Sequence, residues 1–326
     1  MKPPLLAGPL DWLMDKSLLL GYTKIGPVVR QHWWPPDVAP GALAGEHVLV
    51  TGASGGLGLA AAVGIARLGA TVHLVGRRHD RLVTARAAAL QQVPTGRFEL
   101  AECDVSDLDA VRGFCAEFAA RTPRLRALVH NAGVMPPSRT TSAQGHELTL
   151  ATHVLGPHLM TRLLADTLGG GRRVVVVSSG GMYGQRLPTS DFEYERGGYS
   201  GVTAYARTKR MQVALTPLWA ADLGPRGVDV QAMHPGWAAT PGVTDALPGF
   251  ARLIGPLLRS PQQGADTVVW LAGTPERLPS GRFWCDRRPR PAHYAAPLGV
   301  ESEADLERLW EFVGAATAQA AADGSG

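Results

Sequence analysis

The sequence predicts an α/β fold built on a doubly wound parallel sheet of seven strands, with an N-terminal arm and a C-terminal helix attached. Two observations carry that prediction. Between His47 and Gly133, short runs rich in valine and leucine alternate with longer segments of helical spacing, the signature of βαβ units around a sheet buried on both faces. A glycine-rich stretch, Thr51-Gly52-Ala53-Ser54-Gly55-Gly56-Leu57-Gly58, follows an apolar run directly and opens an alanine-rich helix. With 326 residues, 45% of them hydrophobic, the chain can bury one large core and requires no second domain. Residues 46–290 form that domain, residues 1–45 the arm, and residues 291–326 the C-terminal helix and tail.

The arm holds an amphipathic segment from Leu10 to Tyr22 and ends in the turn-rich Trp33-Trp34-Pro35-Pro36-Asp37. It is expected to pack on the domain; the alternative is a membrane-surface or dimer contact through Trp12, Leu18, Leu19 and Tyr22. Strands are predicted near residues 47–51, 71–75, 97–102, 127–130, 173–178, 229–234 and 282–285. Helices fill the gaps, including 57–68, 108–120, 145–168, 202–223 and 262–271. Right-handed crossovers between parallel strands put the ligand crevice at the strands' carboxyl ends. A last helix runs from Glu301 to about Ala321, and the Gly-Ser-Gly tail is expected to be disordered.

Composition narrows the function. A net charge of +4 with scattered arginines argues against a nucleic-acid groove and suits an anionic, phosphate-bearing ligand. Cys103, Cys115 and Cys285 have neither paired nor metal-ligand spacing, so a disulfide scaffold or a metal site is not expected, and a reducing compartment is. No apolar stretch is long enough to span a bilayer and no secretion signal is evident, which predicts a cytoplasmic protein.

Each candidate site residue falls at a strand end or on the helix that follows. Gly52, Gly56 and Gly58 let the chain turn, admit a pyrophosphate and let helix pack on strand, with Ser54, Gly55 and Leu57 completing the loop beside a helix N-terminus. The loop lacks the Gly-Lys-Ser/Thr ending of a nucleotide-triphosphate site, so dinucleotide binding is predicted. After the second strand stands Arg77-Arg78 where an NAD enzyme carries an acidic residue. Arg77 would face a 2′-phosphate, which predicts NADP (NADPH); a solvated arginine pair is the alternative. Asp104-Val105 puts a carboxylate at the crevice edge, either for an adenine amino group or as a helix cap. Asn131-Ala132-Gly133 supplies small residues where the chain passes the cofactor, the asparagine holding the sheet end in shape. Ser178-Ser179 brings hydroxyls to the same rim, one of which can bond a substrate carbonyl.

Lys209 is the only lysine after Lys24, although lysine and arginine together number 32. Tyr205 stands four residues before it, so a phenol and an amine share one helix face one turn apart. A guanidinium is planar and effectively never deprotonates, whereas a compact ammonium can lower a phenol's pKa while its other protons bind ligand hydroxyls. This is proton-transfer chemistry.

In that order, the glycine loop, Asp104, Asn131-Ala132-Gly133, Ser179, Tyr205-x-x-x-Lys209 and Pro235-Gly236-x-x-x-Thr240 resemble the short-chain dehydrogenases/reductases over roughly residues 45 to 290. The resemblance implies a Rossmann fold, with Tyr205 as general acid or base and Lys209 lowering its pKa while bonding the nicotinamide ribose. It also implies that Ser179 orients the substrate oxygen, that Thr240 contacts the carboxamide, and that the long helices pair across a two-fold axis in a homodimer. The reaction implied is hydride exchange with a small-molecule carbonyl or alcohol; an NADP-binding module without turnover is the alternative.

Two departures stand out. The family's Asn-x-x-Gly reads His153-Val154-Leu155-Gly156 here, and His153 is expected either to take the asparagine's place in a proton relay to Lys209 or to be a packed structural histidine. Ser179 and Tyr205 lie 26 positions apart, with residues 185–201 forming an insertion expected to act as a flap. Together with Trp237, Leu247, Phe250 and Leu253 it is expected to shape a pocket for a lipophilic substrate.

Overall fold

The computed structural model describes residues 7–122, 124–239, 255–293 and 300–318. Eight strands form one sheet in the order β3-β2-β1-β4-β5-β6-β7-β8. They are β1 (His47–Thr51), β2 (Thr71–Gly76), β3 (Arg97–Glu102), β4 (Ala127–His130), β5 (Arg172–Val177), β6 (Val228–Met233), β7 (Arg282–Cys285) and β8 (Arg288–Arg290). The first seven pair in parallel, as the repeating apolar runs predict. Strand order reverses between β1 and β4, and at that switch point the glycine loop after β1 meets the Asn131 turn after β4.

The eighth strand corrects the predicted count of seven. Arg288-Pro289-Arg290 carries no apolar run, so periodicity is silent about it. It pairs antiparallel with β7 because Asp286 and Arg287 both adopt positive φ, 52° and 54°, which closes a two-residue hairpin.

Helices cover both faces. They are α1 (Ala7–Lys16), α2 (Leu18–Tyr22) and α3 (Ile25–Arg30) in the arm, then α4 (Gly56–Arg67), α5 (His79–Gln92), α6 (Leu108–Arg121), α7 (Leu148–Leu150), α8 (Gly156–Leu163), α9 (Gly201–Leu223), α10 (Pro261–Gly273) and α11 (Glu303–Ala318). On one face Leu49, Leu128, Val174 and Val176 pack with residues of α6, α8 and α9; on the other Val48, Val50, Val129 and Val175 pack with α4 and α10. The predicted helix over 145–168 is shorter and interrupted. It starts at Leu148, where the buried Glu147 carboxylate accepts from Thr149 N and Leu150 N, and it passes through a π-turn at Ala151–Leu155 before α8. Pro157 in the first turn of α8 has no N–H to continue an α-helical ladder, and the wider turn accommodates it.

The arm packs on the domain with its polarity reversed. In α1, Asp11 and Asp15 face inward, while Trp12 and Leu13 are 63% and 53% exposed. The cause is a nest of arginines. Asp11 accepts from Arg30, Arg288 and Arg290, and Asp286 on the β7–β8 turn accepts from Arg30 and Arg259, both of them 1% exposed. Burial pushes the Asp286 carboxyl upward, but the two guanidiniums outweigh it and hold it down to about 2. Arg259 also donates to the carbonyls of Gly21, Tyr22, Thr23 and Pro235, tying the arm to the turn after β6.

At the other end, α11 lies across α8 and α9. Leu309 and Val313 are fully buried, the Trp310 ring meets His158 edge-on at 5.3 Å, and Phe312 stacks on Phe192 at 4.7 Å. No helix among the described residues is long and apolar enough to cross a membrane.

Candidate active site

The glycine loop is shaped by contacts that only glycine permits. Gly52 has φ +66°, and a Cβ there would stand 2.7 Å from Ala132 Cα; a Cβ on Gly58 would stand 2.3 Å from the Gly52 carbonyl oxygen. Asn131 Nδ2 donates to the carbonyls of Thr51 and Gly52, and Thr51 Oγ1 accepts from the N–H groups of Asn131 and Ala132. Asn131 therefore braces the ends of β1 and β4, the role its turn position predicts. Above the loop, Gly55 is exposed with open space around it, Ser54 and Leu57 are half-buried, and Gly56 opens α4. A tight glycine turn below, open space above and the N-terminus of a 12-residue helix fit a pyrophosphate.

The rim beside it separates the two arginines. Both arginines are exposed, but Arg78 is paired with Asp80 through two bonds of 3.1 and 2.5 Å, whereas Arg77 meets Asp104 only at 4.0 Å. Asp104 itself accepts from the backbone N–H and hydroxyl of Ser106, and the cap of α6 is Asp107. The helix-cap alternative for Asp104 is thereby corrected: the true cap lies three residues on. Val105 is buried, its carbonyl against Gly156.

The two serines after β5 have different duties. Ser178 is buried and donates to the Lys209 carbonyl on α9, so it fastens strand to helix. Ser179 Oγ accepts from Gly181 N and stands near enough to the Tyr205 phenol to lower its pKa. Burial raises the Tyr205 pKa, and the Ser179 hydroxyl opposes that rise. Lys209 is also buried, which lowers its pKa to about 7. Its Nζ lies 5.4 Å from the centre of the Tyr205 ring and donates to the carbonyl of Val177 at 2.8 Å and to Gln212 Oε1 at 3.1 Å.

His153 is packed against this group without presenting its ring to Lys209. Its Nε2 accepts from Val134 N at 3.0 Å, which leaves the proton on Nδ1 to be donated to Thr208 Oγ1 at 2.8 Å. Burial first, and the Lys209 charge second, hold the imidazole pKa well below its ordinary value. Of the two expectations for His153, these bonds show the packed one: the ring joins the Asn131–Val134 turn to α9 and stands edge-on to Tyr205 at 5.3 Å.

After β6, Gly236 has φ +71° and abuts the Arg259 guanidinium and the Tyr22 carbonyl, while Pro235 gives its carbonyl to Arg259. Thr240, Leu247, Phe250 and Leu253 lie outside the described residues. Tyr22 comes as a surprise from the arm. Its ring sits 4.4 Å from His234 and 5.9 Å from Trp237, and a Cβ on Gly180 would stand 2.8 Å from its ring. Nothing in the spacing of the arm signals that it reaches the loop carrying Ser179.

The insertion is a tied strap rather than a loose flap. The Glu193 carboxylate accepts from His146 Nδ1 at 2.7 Å and Glu147 N at 2.8 Å, its carbonyl accepts from Arg139, and Tyr199 donates to Glu147. Among the described residues, no group of three or more His, Cys, Asp or Glu side chains could hold a metal ion.

A family model for the short chain dehydrogenases matches residues 46–248. Over 296 residues the chain is 38% identical to Dehydrogenase/reductase SDR family member 12 of Bos taurus, covering 90% of this chain and 92% of that one. It is 32% identical over 292 residues to Retinol dehydrogenase 14 of Mus musculus, covering 84% and 86%. A Beutenbergia cavernae protein solved with NADP bound at low occupancy superimposes with a TM-score of 0.58 at 27% identity, covering 72% of this chain and 92% of that one. With the family model running from before β1 to beyond β6, the chain belongs to the short-chain dehydrogenases/reductases and is an oxidoreductase.

Proposed function

We propose that the protein is an NADPH-dependent carbonyl reductase acting, in either direction, between a carbonyl and the corresponding alcohol. The observation that carries the reading is the convergence of the Ser179 hydroxyl, the Tyr205 phenol and the Lys209 ammonium at the rim of the glycine-loop crevice. NADPH, bound across that crevice, supplies the hydride. Gly52, Ser54, Gly55, Gly56, Leu57, Gly58, Asp104, Val105, Asn131, Ala132, Gly133, Pro235, Gly236 and Thr240 would form its bed, with Arg77 toward a 2′-phosphate. Ser179 would hold the substrate oxygen, and Tyr205 would give its proton to that oxygen as negative charge builds there. Burial favours the neutral phenol at Tyr205, which suits a proton donor and hence the reductive direction. Lys209 would turn its remaining proton toward the nicotinamide ribose.

Arg77 supports NADP over NAD, because Arg78 is paired with Asp80 while Arg77, at the ends of β2 and β3, has only Asp104 at 4.0 Å. A lipophilic substrate is supported by the relative named for retinol. The outward Leu10, Trp12 and Leu13, with Lys16 ending the same helix, support contact of α1 with an anionic bilayer surface. Trp12→Glu with Leu13→Glu should then abolish flotation with phosphatidylserine vesicles; unchanged flotation would rule the contact out.

The function is tested by NADPH oxidation over a panel of aldehydes, ketones and quinones. Turnover should fall about 10²- to 10⁴-fold in Tyr205→Phe with NADPH binding retained. Tight NADPH binding with no turnover on any substrate would instead mark a binding module.

A further inference from the structure

The buried surroundings of Lys209 end in a side chain that the chemistry above does not use. Gln212 is 1% exposed and lies three residues beyond Lys209 on α9, so the two share a helix face. Its Oε1 accepts from Lys209 Nζ at 3.1 Å and its Nε2 donates to the His153 carbonyl at 2.7 Å. The partners fix the amide's orientation, since an ammonium only donates and a carbonyl only accepts. The His153 carbonyl takes a side-chain donor where residue 157, which in an α-helix would supply the N–H, is proline. A carboxamide is neutral and, unlike water or imidazole, has no accessible protonation step by which to hand a proton onward.

We propose that Gln212 is a positioning residue for Lys209 that closes the inner end of the site's hydrogen-bond chain. Together with the Val177 carbonyl it occupies two of the ammonium's protons, leaves one for the crevice, and directs proton supply to Tyr205 to the crevice side. The groups facing Lys209 are consistent with this. Tyr205 on α9 has the Ser179 hydroxyl beside its phenol, the His153 imidazole is held neutral between Val134 and Thr208, and β5 presents a neutral carbonyl. The proposal rests on the reading that Lys209 serves Tyr205, but its test requires neither substrate nor cofactor.

The chain contains four lysines, Lys2, Lys16, Lys24 and Lys209, so lysine labelled with ¹³Cε and ¹⁵Nζ gives a spectrum in which Lys209 is assigned by its loss in Lys209→Met. In the full-length protein, one lysine should titrate near pH 7 with slow exchange of its Nζ protons. Gln212→Glu sets a carboxylate beside the ammonium and should raise that titration by about one unit or more, a tenfold change. Gln212→Ser shortens the side chain, admits water, and should speed Nζ proton exchange about tenfold, with the other lysines unmoved. Folded variants in which neither the titration nor the exchange of Lys209 moves would overturn the proposal and leave Gln212 a packing residue. Gln212→Glu preserves volume and remains readable should Gln212→Ser not fold. Failure of the catalytic reading itself appears separately, as Tyr205→Phe with unchanged turnover.

Discussion

Arg77 and Arg78 are adjacent in sequence and distinct in duty. The bidentate pair with Asp80 engages Arg78, while Arg77, equally exposed at the ends of β2 and β3, has only Asp104 at 4.0 Å. Arg77→Ala should raise the Kd for NADPH about 10- to 100-fold, the worth of one or two charge-assisted bonds, and leave NADH binding unchanged. Arg78→Ala should alter neither, and titration of NADPH fluorescence reads both. Lys209 offers a second prediction at this scale. Its pKa in the fold, about 7, lies below its ordinary value of 10.5, so between these values the unfolded chain binds more protons and stability rises with pH. Lys209→Met removes that slope, a difference on the order of 4 kcal/mol across the window for a group this deeply buried. Urea unfolding of both proteins at pH 7 and pH 10 measures it. The spacing of Tyr205 and Lys209 was legible because it is local. Between Ser178 and Ser179 the residue pattern alone is silent and the family resemblance names Ser179; the fold supplies the reason, since Ser178 is spent on the Lys209 carbonyl, 31 residues away.

At the scale of elements, the strap of residues 185–201 differs most from expectation. Glycine, aspartate and glutamate in an insertion suggest a mobile lid, yet Asp191 accepts from the N–H groups of Glu195 and Arg196, and Glu193 docks on His146 and the start of α7. Glu193→Ala removes two bonds to that carboxylate and leaves the Glu147 N–H without its partner, at a cost of about 1–3 kcal/mol. Tryptic cleavage after Arg186 and Arg196 should accelerate accordingly, and unchanged cleavage would show that the aromatic contacts of Phe192 and Tyr194 suffice. The regular strands agree with sequence periodicity to within a residue at most ends, because an apolar run buried on both faces has one way to be satisfied. The short β8 and the break at the π-turn escape it. One is made by a turn in positive φ, the other by a proline that removes a single donor.

Over the whole molecule, both chain extensions are absorbed into the domain. The arm is pinned through Asp286, whose carboxyl is held down to about 2 in the fold against an ordinary 3.8. The stability it contributes, about 2–3 kcal/mol, is present above pH 4 and is lost as pH falls toward 2. Asp286→Asn should therefore be less stable at pH 7 and show a shallower decline in acid, read by thermal melts from pH 7 to pH 2.5. The C-terminal helix α11 covers the faces of α8 and α9 through which a homodimer of the expected kind would pair. Light scattering should accordingly return a monomer of 34.5 kDa, and a dimer would require another surface. By itself the sequence determined the parallel sheet, the glycine loop and the phenol–amine pair, because each follows from backbone period or from spacing within a turn. Only the tertiary structure decided that Ser178 is spent on α9, which partners the His153 ring takes, and that the arm reaches the loop carrying Ser179. Those outcomes turn on partners far apart in the chain, as Arg30 and Asp286 are at 256 residues, and no local pattern records them.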